Sequence, residues 1–297
     1  MGFGFPKDWR AALVESEPEK FSLPRESDLR FNWIHANLNA RAGDIADVTG
    51  TVTGGAGGSI TLQMYATSFS VTPTIDGELA GDAVTLGGTI GDISINNSSN
   101  FGKTYLAVSA DVSVGDITVN QTGTDESEVG IALFGDSSAA TIGDVSITYG
   151  ANHTGYAGGL MLALDTTGGT VGNVTVTGGS TNSMFYIAPQ AEYSDMLGLS
   201  SDTNAAYQVG TVDLSNFNGW SMINLAGVVQ GTAIKASKGG SNIYGTEGSD
   251  TITLGTGRDA VLFDLSPTES DTIDGFDAGA GGDMLGVGVF DEGVLLG

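Results

Sequence analysis

The sequence predicts an all-β protein built as a parallel β-solenoid, in which successive coils of the chain stack into continuous sheets. A short apolar-Gly-Asp-apolar string recurs along the chain, and each repeat also holds a second apolar run of strand length. Repeats of roughly 20–50 residues that are built from short strands are typical of solenoids and propellers. Two or three strands in each repeat fit one solenoid coil better than a four-stranded propeller blade. Glycine, at 47 of 297 residues, is abundant enough to supply a corner in every coil.

The first 41 residues differ from the rest and are predicted to form a small helical N-terminal cap or arm. They carry six of the ten basic residues and are electrically neutral, whereas the remaining chain carries the whole net charge of −25. One helix is predicted from Asp8 through Val14, and a second over 27–38, where Leu29, Trp33 and Ile34 have helical spacing. This segment either covers the open end of the solenoid or docks on a neighbouring subunit.

Residues 42–235 are predicted to form the parallel solenoid, with 42–89 as its less regular first coils. The Gly-Asp string marks the later coils, at 90–95, 114–119, 142–147, 171–176 and 209–214. Strand alternation places the apolar residues of each string inward, and the chain must bend at the glycine, which we expect to adopt a positive φ. Stacking then places Asp92, Asp116, Asp144 and Asn173 in one column, where they serve as solvated corner residues or as a weak cation ladder.

Residues 236–297 contain two consecutive units of the nonapeptide G-G-x-G-x-D-x-U-x. The first runs over 245–253, with Thr246 in place of the second glycine, and the second over 254–262, with Leu254 in place of the first. A degenerate unit at 238–244 precedes them, and an Asp-Thr-Ile strand at 271–273 follows. This pattern resembles the hemolysin-type, or repeats-in-toxin, calcium-binding family, over less than a fifth of the chain. The resemblance implies that the solenoid continues into a short calcium β-roll.

The resemblance also implies which residues bind Ca²⁺. In such turns, glycines allow the backbone carbonyls and an aspartate to converge on one ion, and turns two units apart share it. On that basis Asp250 pairs with the turn near Asp271, and Asp259 with the turn at 240–242. The residues implied at the metal sites are Gly240, Asn242, Gly248, Asp250, Gly257, Asp259 and Asp271.

Charge and composition exclude several classes of function. The net charge of −25 disfavours nucleic acid as a partner, because phosphate binding requires clustered Lys and Arg. The absence of Cys removes disulfides, thiolate metal sites and Cys nucleophiles. No apolar run reaches the ~18 residues of a membrane span. Proteins of the resembled family are exported by a type I machine through a C-terminal signal, so we expect an extracellular or cell-surface location, where calcium is abundant.

The function expected from these features is that of a secreted, calcium-binding structural protein that self-assembles into a surface layer or filament. Its partners are expected to be further copies of itself, together with cell-surface polysaccharide. One alternative is a β-helix polysaccharide lyase or epimerase, for which Tyr149 and His153 are the candidate residues. Four basic residues after position 41 are too few to line a groove for a polyanion, so no enzymatic activity is expected. The other alternative is a phage or particle fibre attached through residues 1–41.

Overall fold

The computed structural model describes twelve segments of the chain. Within them the chain forms β-strands and their connections, and no helix. The described segments are 21–22, 33–41, 43–53, 57–71, 74–75, 78–79, 84–124, 127–135, 140–164, 169–189, 207–263 and 270–287.

The strands are numbered in chain order, and their bounds are as follows. The first fourteen are β1 (Phe21–Ser22), β2 (Trp33–Arg41), β3 (Val48–Val52), β4 (Ser59–Val71), β5 (Thr74–Ile75), β6 (Glu78–Leu79), β7 (Val84–Gly87), β8 (Thr89–Ile90), β9 (Ile93–Asn97), β10 (Lys103–Ala110), β11 (Ser113–Val114), β12 (Ile117–Gln121), β13 (Glu128–Gly135) and β14 (Thr141–Ile142). The others are β15 (Val145–Tyr149), β16 (Gly155–Leu164), β17 (Thr170–Val171), β18 (Val174–Gly178), β19 (Ser183–Pro189), β20 (Gln208–Val209), β21 (Val212–Phe217), β22 (Trp220–Asn224), β23 (Ala233–Lys235), β24 (Ser241–Tyr244), β25 (Thr251–Thr253), β26 (Ala260–Phe263), β27 (Thr272–Asp274) and β28 (Met284–Val287).

Three sheets run along the molecule, each formed by one strand from every coil it crosses. Sheet I has the order β1-β3-β9-β12-β15-β18-β21-β23-β25-β27, and sheet II the order β2-β4-β10-β13-β16-β19-β22-β24-β26-β28. Sheet III is shorter, with the order β20-β17-β14-β11-β8. Neighbouring strands in these orders are parallel, and among the described strands the antiparallel pairs are β7 with β4 and β5 with β6. The predicted parallel β-solenoid is therefore confirmed.

The core consists of columns of like residues, because the coils stack in register. Ile117, for example, pairs with Ile93 of the coil before it and with Val145 of the coil after it, and all three are buried. The apolar runs of sheet II stack in the same way, so that Leu133 lies between Val108 and Leu162. Burial of each column against the next supplies the hydrophobic stabilisation that a single coil lacks.

The coils become narrower toward the C-terminal end. Sheet III ends at β20, so each coil from β23 onward contributes two short strands, one to sheet I and one to sheet II. The first two-strand coil begins at β23, just before the nonapeptide units, and in such a coil the turns between the two strands are the main connections. The motif residues therefore lie in turns that stack directly on one another.

The predicted second helix is wrong over Trp33–Leu38. These residues belong to strand β2, which pairs in parallel with β4 through nine consecutive residues. Ile34 and Leu38 are partly buried against the core, while His35 between them is exposed, which is the alternation of a strand. The rest of the predicted 27–38 helix, and the first helix from Asp8 to Val14, lie outside the described residues.

The corner glycines have a role that differs from the prediction. Gly91, Gly115 and Gly143 do not have a positive φ, so the backbone conformation does not require glycine there. A Cβ at Gly115 would instead overlap Oδ1 of Asp92, and a Cβ at Gly143 would overlap Oδ1 of Asp116. The glycine is required because the aspartate of the preceding coil occupies the space of its missing side chain.

Candidate metal centre

The turns of the C-terminal coils form two stacks, one on each side of the two-stranded region. The Asp250 turn stack contains 225–232, 245–250 and the described end of the next turn at 270–271. The Asp259 turn stack contains 236–240, 254–259 and 275–283. Each aspartate comes directly before a strand, Asp250 before β25 and Asp259 before β26. Both stacks therefore present a motif aspartate between two neighbouring turns.

The motif glycines allow these turns to approach very closely. A Cβ at Gly248 would overlap the backbone nitrogen of Gly231, and a Cβ at Gly257 would overlap that of Gly240. Gly240 has φ +98, a conformation that also favours glycine. The sequence therefore places glycine where the backbones of successive coils touch.

The carboxylate of Asp250 is fully engaged by protein groups. It is 2% exposed, and its Oδ1 accepts hydrogen bonds from the Thr232 N–H and the Thr246 hydroxyl, each at 2.8 Å. Its Oδ2 accepts a 2.7 Å hydrogen bond from the Thr246 N–H. Burial raises the pKa of this carboxyl, an effect that the Thr232 and Thr246 donors oppose. Asp271 lies in the next coil, where its Oδ1 accepts a hydrogen bond from the Asp250 N–H at 2.8 Å.

The carboxylate of Asp259 is equally buried but only partly engaged. Its exposed fraction is 0%, and its Oδ2 accepts a 2.8 Å hydrogen bond from the Gly255 N–H. Its Oδ1 is buried and has no hydrogen-bond partner among the described residues. Burial raises the pKa of Asp259 to about 6, and the negative charge of Asp283 adds to the rise. The Ser241 N–H and hydroxyl lie near enough to lower this pKa in part, although neither makes a hydrogen bond of standard geometry to Oδ1. An unpaired, buried carboxylate oxygen is costly, so this atom indicates a missing partner.

A hard cation is one partner that could satisfy Oδ1 of Asp259. Ca²⁺ takes six to eight oxygen ligands from carboxylates, backbone carbonyls and water. Asp283 lies beside Asp259, since its Oδ1 accepts the Asp259 N–H at 2.9 Å. The described residues contain no group of three or more His, Cys, Asp or Glu side chains placed to hold a metal ion. Most ligands would therefore have to be carbonyl groups of the closely stacked turns.

The other residues implied by the nonapeptide units are placed as follows. Gly240 and Gly257 lie against each other in the Asp259 turn stack, and Gly248 lies in the Asp250 turn stack. Asn242 lies within strand β24 and pairs with Ala260, so it belongs to sheet II rather than to a turn. Asp283 was missed as a site residue, although its position directly before a strand is the one that Asp250 and Asp259 occupy.

The aspartate column of the solenoid has a different role from the C-terminal aspartates. Oδ1 of Asp92 accepts the N–H of Asp116 at 3.0 Å, and Oδ1 of Asp144 accepts the N–H of Asn173 at 2.7 Å. In this column the acceptor belongs to the earlier coil, whereas Asp271 accepts from Asp250 of the earlier coil. The column side chains are exposed and serve as acceptors for corner N–H groups that would otherwise face solvent.

Tyr149 and His153 are buried together inside the solenoid. The Tyr149 hydroxyl donates a 2.7 Å hydrogen bond to the Ala157 carbonyl, and the two rings lie 5.0 Å apart. His153 is 0% exposed, and its ring nitrogens contact the Ser183 hydroxyl and the Ser127 carbonyl. Burial lowers the pKa of His153. Both side chains are thus engaged by protein groups away from the surface.

Comparisons of the chain with known protein families, curated proteins and solved structures gave no match. In the described part of the chain, no helix is long and apolar enough to cross a membrane. The fold and its site therefore define the class of protein on physical grounds alone: an all-β protein of parallel strands, with stacked aspartate turns in its C-terminal coils.

Proposed function

We propose that the protein is a secreted structural protein that binds Ca²⁺ in its C-terminal coils and assembles at the cell surface or in the extracellular matrix. The observation that carries this proposal is the buried, unpartnered Oδ1 of Asp259. A bound cation would supply the counter-charge that this oxygen lacks, and would favour the ionised form of a carboxyl whose pKa burial raises.

The ion would be held by Asp259 and by backbone carbonyls of the turns 236–240 and 254–258, next to the negative charge of Asp283. Ca²⁺ at this position supplies electrostatic attraction between turns of successive coils, which are brought close by Gly240 and Gly257. Binding to the folded coils alone stabilises them by mass action, most of all where free calcium is high. An extracellular location suits such a site, because calcium is millimolar there and weak sites fill.

Two features of the solenoid ends support assembly. At the C-terminal end, Leu285 pairs with the buried Val261 yet is 55% exposed, since no described strand follows β28 in sheet II. At the other end of the described part of sheet II, Ile34 and Leu38 of β2 are only partly buried. Open sheet edges and uncovered core columns favour pairing with another chain. Contact between copies of this chain would cover both.

The burial of Tyr149 and His153 favours this structural role over a polysaccharide lyase or epimerase. A general acid or base must come within hydrogen-bond reach of its substrate, either directly or through one water. His153 is fully buried and bonded to Ser183 and Ser127, which leaves no ring nitrogen for a polysaccharide in this conformation.

The proposal is tested on the full chain, with calcium and with the chelator EGTA, by thermal unfolding and by size measured with light scattering. We expect calcium to raise the midpoint of unfolding by several degrees and to drive formation of large assemblies. Asp259→Asn should abolish the calcium-dependent gain. Asp274→Asn, which removes the same charge from an exposed residue of β27, is the matched control and should retain it. A wild-type chain that is indifferent to chelator and cleaves a polyuronate would contradict the proposal and support the lyase alternative.

A further inference from the structure

The two nonapeptide units differ at their second position in a way that changes the surroundings of the motif aspartate. The first unit has Thr246 there, and the second has Gly255. In both units the backbone N–H at this position donates to Oδ2 of the aspartate four residues later, at 2.7 Å to Asp250 and 2.8 Å to Asp259. Up to this bond the two turns are equivalent.

The Thr246 side chain adds what Gly255 lacks. Its hydroxyl donates a 2.8 Å hydrogen bond to Oδ1 of Asp250 and accepts one from the Gly248 N–H at 3.1 Å. The Thr232 N–H also donates to Oδ1, and the Thr246 N–H donates to Oδ2, so both oxygens of the Asp250 carboxylate have protein donors. The oxygen of Asp259 at the corresponding place is the unpartnered one.

We propose that Thr246 takes the place of a calcium ion in the Asp250 turn stack, so that the chain binds calcium only in the Asp259 turn stack. This inference rests on the proposed function for its calcium site at Asp259. It restricts calcium binding to one turn stack, so that Asp250, Gly248 and Asp271 are not metal ligands. Oδ1 of Asp250 is occupied by a hydroxyl and an amide N–H, and an ion would have to displace the hydroxyl to reach it.

The packing of the two turns explains why the replacement occurs in one stack only. A Cβ at Gly255 would overlap the Ser237 carbonyl oxygen of the turn before it, so the second unit has no room for a threonine. Thr246 is half-buried in a turn that does have this room, and its φ is negative. The Thr246 hydroxyl can therefore donate to the carboxylate of Asp250 in the first unit. In the second unit no side chain has room to do so, and the ion takes this place at Oδ1 of Asp259.

The test is the number of calcium ions bound per full-length chain, measured by equilibrium dialysis and native mass spectrometry. Thr246→Val keeps the shape and the backbone N–H but removes the hydroxyl, and Thr246→Gly restores the second glycine of the motif. Each variant should bind one ion more than the wild type. Thr246→Ser keeps the hydroxyl and should bind the same number as the wild type. Asp250→Asn should remove the additional ion of Thr246→Val and leave the wild-type number unchanged.

Two results would overturn the inference. One is a wild-type chain that loses an ion on Asp250→Asn, since Asp250 would then bind calcium in spite of Thr246. The other is a folded Thr246→Val variant with no additional ion. If both Thr246 variants fail to fold, the effect of Asp250→Asn on the wild-type number decides the question, since an unchanged number supports the inference and a lower one contradicts it.

The same measurement separates this inference from the proposed function. Asp259→Asn in the wild-type background should remove the wild-type ion, and no change on this substitution contradicts the calcium site at Asp259. In the Thr246→Val background, the additional ion should survive Asp259→Asn. A chain that gains an ion through Thr246→Val but never binds one at Asp259 would keep the role of Thr246 and overturn the proposed site.

Discussion

The backbone N–H of Asp144 donates a 2.9 Å hydrogen bond to Oδ1 of Asp116, which lies one coil earlier in the chain. The same contact joins each corner to the next along the column. Asn173 takes part in it as an acceptor too, since its Oδ1 receives the Thr211 N–H at 3.0 Å. The contact therefore requires a side-chain oxygen of this length, and a neutral amide supplies it as well as a carboxylate.

We predict that Asp116→Ala destabilises the protein by about 1 kcal/mol, the usual net contribution of one hydrogen bond. The substitution leaves the Asp144 N–H without its acceptor. Asp116→Asn should change the free energy of unfolding by less than about half as much, because Asn173 makes this contact naturally. Urea unfolding of the three proteins measures the difference. Equal losses for Ala and Asn would show that the charge, rather than the acceptor, matters at this corner.

The second prediction concerns the glycine beside this contact. Gly143→Ala should destabilise the protein by about 1–3 kcal/mol, as insertion of a methyl group into packed structure does, because its Cβ would displace Oδ1 of Asp116. Gly43→Ala is the matched control, since the nearest atom to its Cβ is that of Ala40 at 3.9 Å. Urea midpoints should fall for Gly143→Ala and stay within error for Gly43→Ala. A Gly143→Ala protein as stable as the wild type would argue that the corner glycine is dispensable.

The third prediction is a pH dependence set by His153. Burial lowers the pKa of this residue below 6.5, and its contact with the Ser127 carbonyl offsets part of the effect. The imidazole of His153 therefore takes up a proton in the unfolded chain as pH falls below about 6.5, but not in the folded chain, so the contribution of His153 to the free energy of unfolding decreases toward acidic pH. The slope from this residue is at most about 1.4 kcal/mol per pH unit.

The measurement is the urea midpoint at several values between pH 7.5 and 5, compared with that of His153→Gln. The variant should lose this part of the slope, while retaining a hydrogen-bonding side chain. His35→Gln, at the other histidine of the chain, lies on an exposed position of β2 and should leave the slope unchanged. Identical slopes for the wild type and His153→Gln would contradict a role for the buried imidazole.

The fourth prediction distinguishes β2 from the residues before it. Deletion of 1–41 removes a strand that pairs with β4 through nine residues and helps to cover Ile60, Leu62 and Met64. The truncated protein should unfold at lower temperature and aggregate, because the edge of β4 is long and partly apolar. Deletion of 1–20, which leaves β1 and β2 in place, is the matched comparison and should retain the pairing of β2 with β4. Light scattering and thermal unfolding check both. A deletion of 1–41 that stays monomeric and equally stable would assign β2 a dispensable role.

Repetition explains why the solenoid could be predicted from the sequence. Copies of one string, such as 114–119 and 142–147, must occupy equivalent positions in stacked coils, and the register of β12 and β15 follows from that. Strand β2 lacks this signal. Ala36 and Ala40 occupy two of its inward positions, and they are too weakly apolar to reveal a period of two, so the helical spacing of Leu29, Trp33 and Ile34 dominated the pattern.

Contacts across coils explain what could not be predicted. Gly115 is needed because it lacks a side chain, and not because of a positive φ. The reason is its contact with Asp92, which lies 23 residues earlier in the chain and becomes a neighbour only on folding. The surroundings of the two motif aspartates also depend on contacts that form only on folding. Thr246 is visible as a departure from the repeat, but its hydroxyl matters because the turn brings it to 2.8 Å from Asp250.

The coils of the solenoid differ in length although their registers agree. From Asp92 to Thr211, the paired corner residues are 24, 28, 29 and 38 residues apart in successive coils, and the hydrogen bond between them is between 2.7 and 3.0 Å. The extra residues fall between sheet II and sheet III: β10 and β11 are nearly continuous, whereas β19 ends at Pro189 and β20 begins at Gln208. Connections of different length between sheets II and III therefore leave the register of the flanking strands unchanged, and peptides grafted into successive connections would follow one another at the spacing of the coils.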